Sequence, residues 1–301
     1  MTMYDYAVIG GSSSIHLSKN ISKKLKAKLL KPQITVFPDG ECKVTVKAHA
    51  KYRKIIVVQS TPPPVDSNIL QALLLISKAR EMSNEVIAVI PYMGYAKQDK
   101  EFLRGEIVTI SVIAKLFKAA GATRLVVVDF HSSEALNFFK IPVKNISSVF
   151  LLAQYFKHLK LKDPLVVSPD MYWKYKAEEF AKYLHADSIA LNKQRNRKTG
   201  KLIIKSPSLK FSKGRDLVLL DDMVSTGGSI LKSIKFLKKV NFRKIYVACT
   251  HPVFVGDSES KIKKSGITKI IGTNSVEGKF AKIDLSCIIV EAILSWEHDF
   301  Y

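Results

Sequence analysis

Residues 217–230 read LVLLDDMVSTGGSI. Four apolar residues run into two adjacent aspartates, and Ser-Thr-Gly-Gly-Ser then opens an amphipathic stretch. The pattern predicts a buried strand, a tight turn and a helix that begins after Gly228. Such a turn offers backbone N–H groups and hydroxyls at the positive end of a helix dipole, which favours an anion. Asp221 and Asp222 would repel a phosphate unless they grip something else, such as sugar hydroxyls or a magnesium ion. A phosphate cradle beside diol-binding acids points to a ribose phosphate. A glycine-rich turn alone would say little, because many strand-to-helix turns use glycine only for its positive φ. The paired acids make this segment far more demanding.

Apolar strand-like runs alternate with helical patterns along the whole chain, which predicts a parallel α/β architecture. YDYAVIG (4–10) reads as a strand ending in Gly10-Gly11-Ser12-Ser13-Ser14, with a helix to about residue 30. ITVF and KVTV read as a hairpin pair. KIIVVQS, EVIAVIP and RLVVVDF are further strands, separated by helices over about 68–81 and 108–120. The second half repeats the scheme: helices over about 148–160 and 173–185, strands PLVVS and SIALN, strands either side of Gly200, then strands at 217–220, near 245–250 and at 269–272. A last helix is expected near 286–295. The chain therefore reads as two similar domains, 1–145 and 146–301, each a mainly parallel sheet flanked by helices, with a boundary in the Pro142–Ser148 stretch.

With 301 residues there is ample chain for a large core. No apolar run reaches the roughly 18–20 residues that cross a bilayer, and the N-terminus lacks a signal-peptide pattern. Cys42, Cys249 and Cys287 lie far apart and read as reduced thiols of a cytoplasmic protein. The formal net charge of +22 attracts anions such as nucleotides and phosphates. Lys19, Lys23, Lys24, Lys26, Lys28 and Lys31 are placed on one early helix. No basic stripe interleaved with aromatics marks a nucleic-acid surface, so the surplus is read as solvated faces and no nucleic-acid partner is expected.

Other chemistry-bearing segments fall at strand ends, where open parallel sheets bind ligands. Phe37-Pro38-Asp39-Gly40-Glu41 puts two carboxylates and a ring in one turn. Residues 91–100 mix aromatic, amide and charged groups after a strand. Val128-Asp129-Phe130-His131 sets a histidine beside an acid, which raises the prospect of a metal or phosphate. Residues 192–201 carry five basic residues and no acid.

The ordered set FPDGE, YAKQDK, VDFH, SPD and DDMVSTGGS resembles the ribose-phosphate pyrophosphokinases, or 5-phosphoribosyl-1-diphosphate (PRPP) synthases, over nearly the whole chain. The ending TNSV…KIDLSCIIVEAI resembles archaeal members. Ordinary phosphoribosyltransferases share only the last element of that set. The resemblance implies two type I phosphoribosyltransferase-like domains and the conversion of ATP and ribose 5-phosphate into PRPP and AMP. It implies that Asp221 and Asp222 hold the ribose 2- and 3-hydroxyls, and that Ser225, Thr226, Gly227, Gly228 and Ser229 hold the 5-phosphate. ATP would lie against Phe37, Asp39, Glu41, Lys97, Gln98 and Asp99. His131 and Asp170 match magnesium ligands, and Lys193 and Arg195 match the cations of a flexible catalytic loop. Arg197, Lys198 and Lys201 stay a solvated tip. The family's sharing of the FPDGE turn with a neighbouring subunit implies a homo-oligomer, at least a dimer.

Two departures stand out. Tyr172 and Trp173 occupy positions where the family has small residues, with Lys176 in place of an arginine. Bulky side chains there restrict the backbone and narrow the approach of a phosphate chain. Lys97 also replaces an arginine and loses its planar stacking surface. They suggest a second reading, a weak or inert homologue that acts as a regulatory or ligand-binding subunit.

Overall fold

A computed structural model describes residues 4–48, 50–195, 202–205 and 213–298, leaving out the side chains of residues 4, 192–195, 202–205 and 298. Packing divides the chain into two compact units. The first holds residues 1–147, 275–277 and 284–301, and the second holds 148–274 and 278–283.

The first unit begins with β1 (Tyr4–Gly10), α1 (Ile15–Lys24), β2 (Lys28–Leu30), β3 (Gln33–Val36) and β4 (Cys42–Thr45). It continues with β5 (Tyr52–Val58), α2 (Val65–Met82), β6 (Glu85–Ile90), α3 (Thr109–Ala120), β7 (Arg124–Val128) and β8 (Val143–Ile146). Its main sheet has the order β2-β1-β5-β6-β7-β8, every pair parallel. β3 and β4 form a separate antiparallel hairpin. The central strands are buried on both faces, residue after residue, from Ile55 to Val58 and from Val86 to Ile90. That burial explains why they read as continuous apolar runs rather than alternating ones. Leu75 and Ile76 of α2 and Ile110 and Phe117 of α3 pack into the same core.

The second unit runs α4 (Val149–His158), β9 (Leu165–Ser168), α5 (Lys174–Leu184), β10 (Asp187–Ala190), β11 (Asn192–Arg195), β12 (Leu202–Lys205), β13 (Asp216–Met223), α6 (Gly228–Leu237), β14 (Lys244–His251), α7 (Ser258–Lys264), β15 (Lys269–Thr273) and β16 (Ala281–Ile283). Its sheet order is β10-β9-β13-β14-β15-β16, again parallel throughout. β11 and β12 form its antiparallel hairpin. Each unit thus places its second strand at the edge, then its first, then the remaining four in sequence order. Each also inserts a hairpin between its second sheet strand and its third. The two halves share one topology.

Some local expectations change. The first helix stops at Lys24, and Ala27 N–H bonds to the Ser22 carbonyl as the chain turns back toward β2. Lys26, Lys28 and Lys31 therefore lie beyond the helix. The Pro142–Ser148 stretch contains β8, an edge strand of the first sheet. The last helix, α8 (Ser286–His298), packs with the first unit, whereas the sequence reading ran the second domain to residue 301.

A polar cluster pins α8. Glu297 accepts hydrogen bonds from Tyr6 Oη at 2.7 Å, from Arg53 Nη1 at 3.3 Å and from Lys54 Nζ. Lys54 is buried and also pairs with Glu85 at 3.0 Å. Trp296 lies under the cations of Arg124 and Lys144, at 5.2 and 4.5 Å. Burial alone would raise the Glu297 carboxyl, but hydrogen bonds from Lys54 and Tyr6 outweigh it and bring it down to about 2. A carboxyl held below its unfolded value of about 4.3 contributes stability that is complete above that pH and is lost as pH falls toward 2. The melting temperature of the wild-type protein should therefore fall more steeply between about pH 4.3 and 2 than that of Glu297→Gln. Parallel slopes in circular dichroism melts would remove Glu297 from this account.

Candidate active site

β13 is buried along its whole length and delivers Asp221 and Asp222 to its carboxyl end. Both acids are buried, at 7% and 5% exposure. Asp221 Oδ1 accepts the Asp222 N–H at 3.1 Å, and Asp222 Oδ1 accepts the Met223 N–H at 2.7 Å. Burial first, then the neighbouring charges of Asp222 and Asp170, hold the Asp221 carboxyl well above the usual carboxylate range. Three acids therefore converge where β9 and β13 lie side by side. The strand order changes direction at that point, the usual ligand crevice of an open parallel sheet. Cys249 faces Asp221 across the β13–β14 register, and burial pushes its thiol up.

The turn after β13 is held by hydrogen bonds from Val224 N–H to the His251 carbonyl (3.0 Å) and from Phe254 N–H to the Val224 carbonyl (2.8 Å). Gly227 sits at φ 73° and precedes the first turn of α6, which has no side-chain cap. Among the described residues, no acceptor takes the N–H groups of Thr226, Gly227, Gly228 or Ser229. This is the donor array that a phosphate group needs. The sequence reading missed the buttress beneath it, α7. A Cβ on Gly227 would stand 2.7 Å from Ile262 Cδ1 of that helix. Gly227→Val should therefore cost about 2–3 kcal/mol through backbone strain and the clash. It should also weaken ribose 5-phosphate binding, as read by thermal melts and titration. A variant with wild-type melting and affinity would mean that the turn tolerates a side chain.

Asp170 follows β9. Ser168 Oγ donates to the Asp170 carbonyl at 2.6 Å, and Asp170 Oδ1 accepts the Tyr172 N–H at 3.0 Å. The expectation that two bulky residues narrow this loop needs revision. Trp173 turns into the core, 5% exposed, among Val166, Ala177 and Phe180, while Tyr172 is 56% exposed. No residue from 168 to 173 has a positive φ, so the turn itself does not require glycine. Lys193 and Arg195 fall on β11, and their side chains lie outside the described residues. Arg197, Lys198 and Lys201 lie outside them altogether.

In the first unit, Phe37, Asp39 and Glu41 form the tip of the β3–β4 hairpin. Phe37 N–H bonds to the Glu41 carbonyl, and Gly40, at φ 92°, bonds back to the Phe37 carbonyl, both at 2.9 Å. Asp39 Oδ1 accepts the Glu41 N–H at 3.0 Å. Phe37 is 42% exposed. Lys97, Gln98 and Asp99 follow β6, where Gln98 Oε1 accepts the Thr109 hydroxyl at 2.5 Å. Among the described residues, no hydrogen bond or ion pair joins the hairpin tip to these three. Asp129, at φ 40°, and His131 follow β7, the strand next to β6. Asn145 Oδ1 fixes that turn by accepting the Phe130 N–H at 3.0 Å.

Comparison with known proteins points to one family. Residues 6–121 match the N-terminal domain of ribose phosphate pyrophosphokinase, and residues 207–298 match the phosphoribosyl synthetase-associated domain. The ribose-phosphate pyrophosphokinase of Sulfurisphaera tokodaii is 32% identical, over 95% of this chain and 99% of its own. That of Methanobrevibacter smithii is 31% identical, over 95% and 99%. The phosphoribosylpyrophosphate synthetase of Mycobacterium smegmatis shares the fold, with a TM-score of 0.85 at 24% identity over 98% of this chain and 99% of that one. The chain belongs to the ribose-phosphate pyrophosphokinase family. No helix among the described residues is long and apolar enough to cross a membrane.

Proposed function

We propose that the protein transfers the β,γ-diphosphate of ATP to the 1-hydroxyl of ribose 5-phosphate, giving PRPP and AMP. The observation that carries this reading is the second unit's cradle, where unpaired amides of residues 226–229 stand beside the buried acids Asp221 and Asp222. The amides, with the Ser225 and Thr226 hydroxyls, take the 5-phosphate. The two acids accept hydrogen bonds from the ribose diol, which also relieves their mutual repulsion.

The 1-hydroxyl oxygen attacks the β-phosphorus as its proton passes to solvent, and the bond from that phosphorus to the α,β-bridging oxygen breaks, with AMP departing. Lys193 and Arg195 stabilise the charge that develops on the transferring group. Phe37, Asp39, Glu41, Lys97, Gln98 and Asp99 bind ATP. The exposed ring at the hairpin tip, without a partner among Lys97, Gln98 and Asp99, favours a homo-oligomer in which that tip serves a neighbouring copy.

His131 and Asp170 are the proposed magnesium ligands. Among the described residues no three His, Cys, Asp or Glu side chains form a closed cage. Magnesium takes one or two protein ligands and completes its shell with water and substrate phosphates. Magnesium held by such residues would neutralise triphosphate charge. Asp170 keeps one carboxylate oxygen beyond the one that Tyr172 N–H occupies.

The test is a reaction with ATP labelled at the β-phosphorus. The label should move to PRPP, with one AMP formed for each PRPP. Formation of ADP, or intact ATP after prolonged incubation with ribose 5-phosphate and magnesium, would refute the proposal. The second outcome, with both ligands still bound, would favour the inert reading.

A further inference from the structure

We propose that Tyr95 and Asp66 are positioning residues for ATP, latching by one hydrogen bond the turn that presents Lys97, Gln98 and Asp99. This role rests on the assignment of those three residues to ATP and supplies a cause for their pose. β5 and β6 are adjacent parallel strands, so the connections that follow them leave the sheet at the same edge, the one where ligands bind. The two connections are joined from their first residues. Thr61 donates to the Tyr92 carbonyl through its N–H, at 2.8 Å, and through its hydroxyl, at 3.1 Å. Thr61 Oγ1 in turn accepts the Gly94 N–H at 2.6 Å. Gly94 lies so close to this seam that a Cβ would stand 2.5 Å from Val65 Cγ1.

Tyr95 comes next, with a left-handed backbone at φ 63°. That conformation is uncommon for a residue with a bulky side chain, and it persists only where the surroundings over-determine it. Two contacts do so here. The ring packs against the core of the first unit. Its hydroxyl donates to Asp66 Oδ1 at 2.6 Å, in the first turn of α2. The positive φ reverses the chain, and the Tyr95 carbonyl then accepts the Gln98 N–H at 2.9 Å.

Gln98 ties the far side of the turn to α3. Its carbonyl accepts the Ile110 N–H at 3.4 Å, and its side chain accepts the Thr109 hydroxyl. Among the described residues, the side chains of Lys97 and Asp99 make no hydrogen bond or ion pair. Their directions are therefore set by the backbone of the turn, which Tyr95 anchors on one side and Gln98 on the other. Loss of the latch should change how well ATP is held, and not the binding of the sugar or the transfer step.

ATP affinity would be measured by isothermal titration of the full-length protein, with KM and kcat for both substrates alongside. Tyr95→Phe keeps the ring and loses the hydroxyl. It should raise the dissociation constant and KM for ATP about threefold to tenfold. Its kcat, its KM for ribose 5-phosphate and its melting temperature should stay near wild type. Asp66→Ala should weaken ATP by a similar factor. Tyr95→Phe/Asp66→Ala should bind ATP no worse than either single variant, because the same hydrogen bond is lost in all three. Asp66→Asn keeps an acceptor for the hydroxyl and should recover most of the affinity. Lys97→Ala separates the latch from the assignment beneath it. If that variant binds ATP as wild type does, the assignment of this loop to ATP fails and the latch falls with it. If it weakens ATP while Tyr95→Phe does not, the assignment stands and the latch is overturned. Additive losses in the double variant, or equal losses for the two substrates, would overturn it as well.

Discussion

Lys193→Ala should lower turnover about a hundredfold or more while leaving the affinities for ATP and ribose 5-phosphate within a small factor of wild type. In the proposed site both substrates have binding groups of their own, so a cation that acts on developing charge contributes mainly after they are bound. The Lys193 backbone is fixed in the β11–β12 ladder opposite Ile204, and Arg195 lies opposite Leu202. That ladder gives the pair a defined root in an otherwise basic segment. Lys193→Arg should recover part of the rate because charge is kept. Rapid-quench measurement of AMP, with dissociation constants measured separately, checks both statements. An unchanged kcat, or a loss confined to KM, would remove Lys193 from the chemical step.

Asp221→Asn and Asp222→Asn should each weaken ribose 5-phosphate by about tenfold to a hundredfold, with ATP affinity changed far less. The amide keeps the shape of the side chain but offers one acceptor where the carboxylate offered two. Asp221→Asn carries a second consequence. Burial and the charges of Asp222 and Asp170 disfavour ionised Asp221 in the free protein. Neutralising it removes that penalty, so this variant should melt at the wild-type temperature or above it while binding the sugar less well. Stability and ligand affinity would then move apart, as they do where a site is kept strained for its ligand. Equal losses of ATP and ribose 5-phosphate would contradict the assignment of these acids to the diol.

Both sheets are legible in the sequence because a parallel strand covered on two faces reads as an unbroken apolar run, as in LVLL and KIIVV. The turn proposed here for ribose phosphate stands out in the sequence for a different reason. Acids directly after such a run, followed by Thr-Gly-Gly-Ser, are costly for packing and need a ligand to explain them. Short elements carry too little periodicity to show. β2 has three residues, and α7, Lys-rich and seven long, buries only Ser258 and Ile262. The attachment of α8 to the first unit depends on pairs such as Tyr6–Glu297, 291 positions apart, which leave no local trace. The direction of Trp173 was hidden as well. Its neighbours Val166, Ala177 and Phe180 include a strand residue on the other side of the loop, and only the fold shows that the ring faces inward.

A crystal structure of the protein with ribose 5-phosphate tests the central claim most directly. The account predicts the 5-phosphate against the amides of Thr226, Gly227, Gly228 and Ser229, and the vicinal hydroxyls within hydrogen-bonding distance of Asp221 and Asp222. A sugar phosphate bound elsewhere, with that turn left unoccupied at saturating ligand, would contradict it.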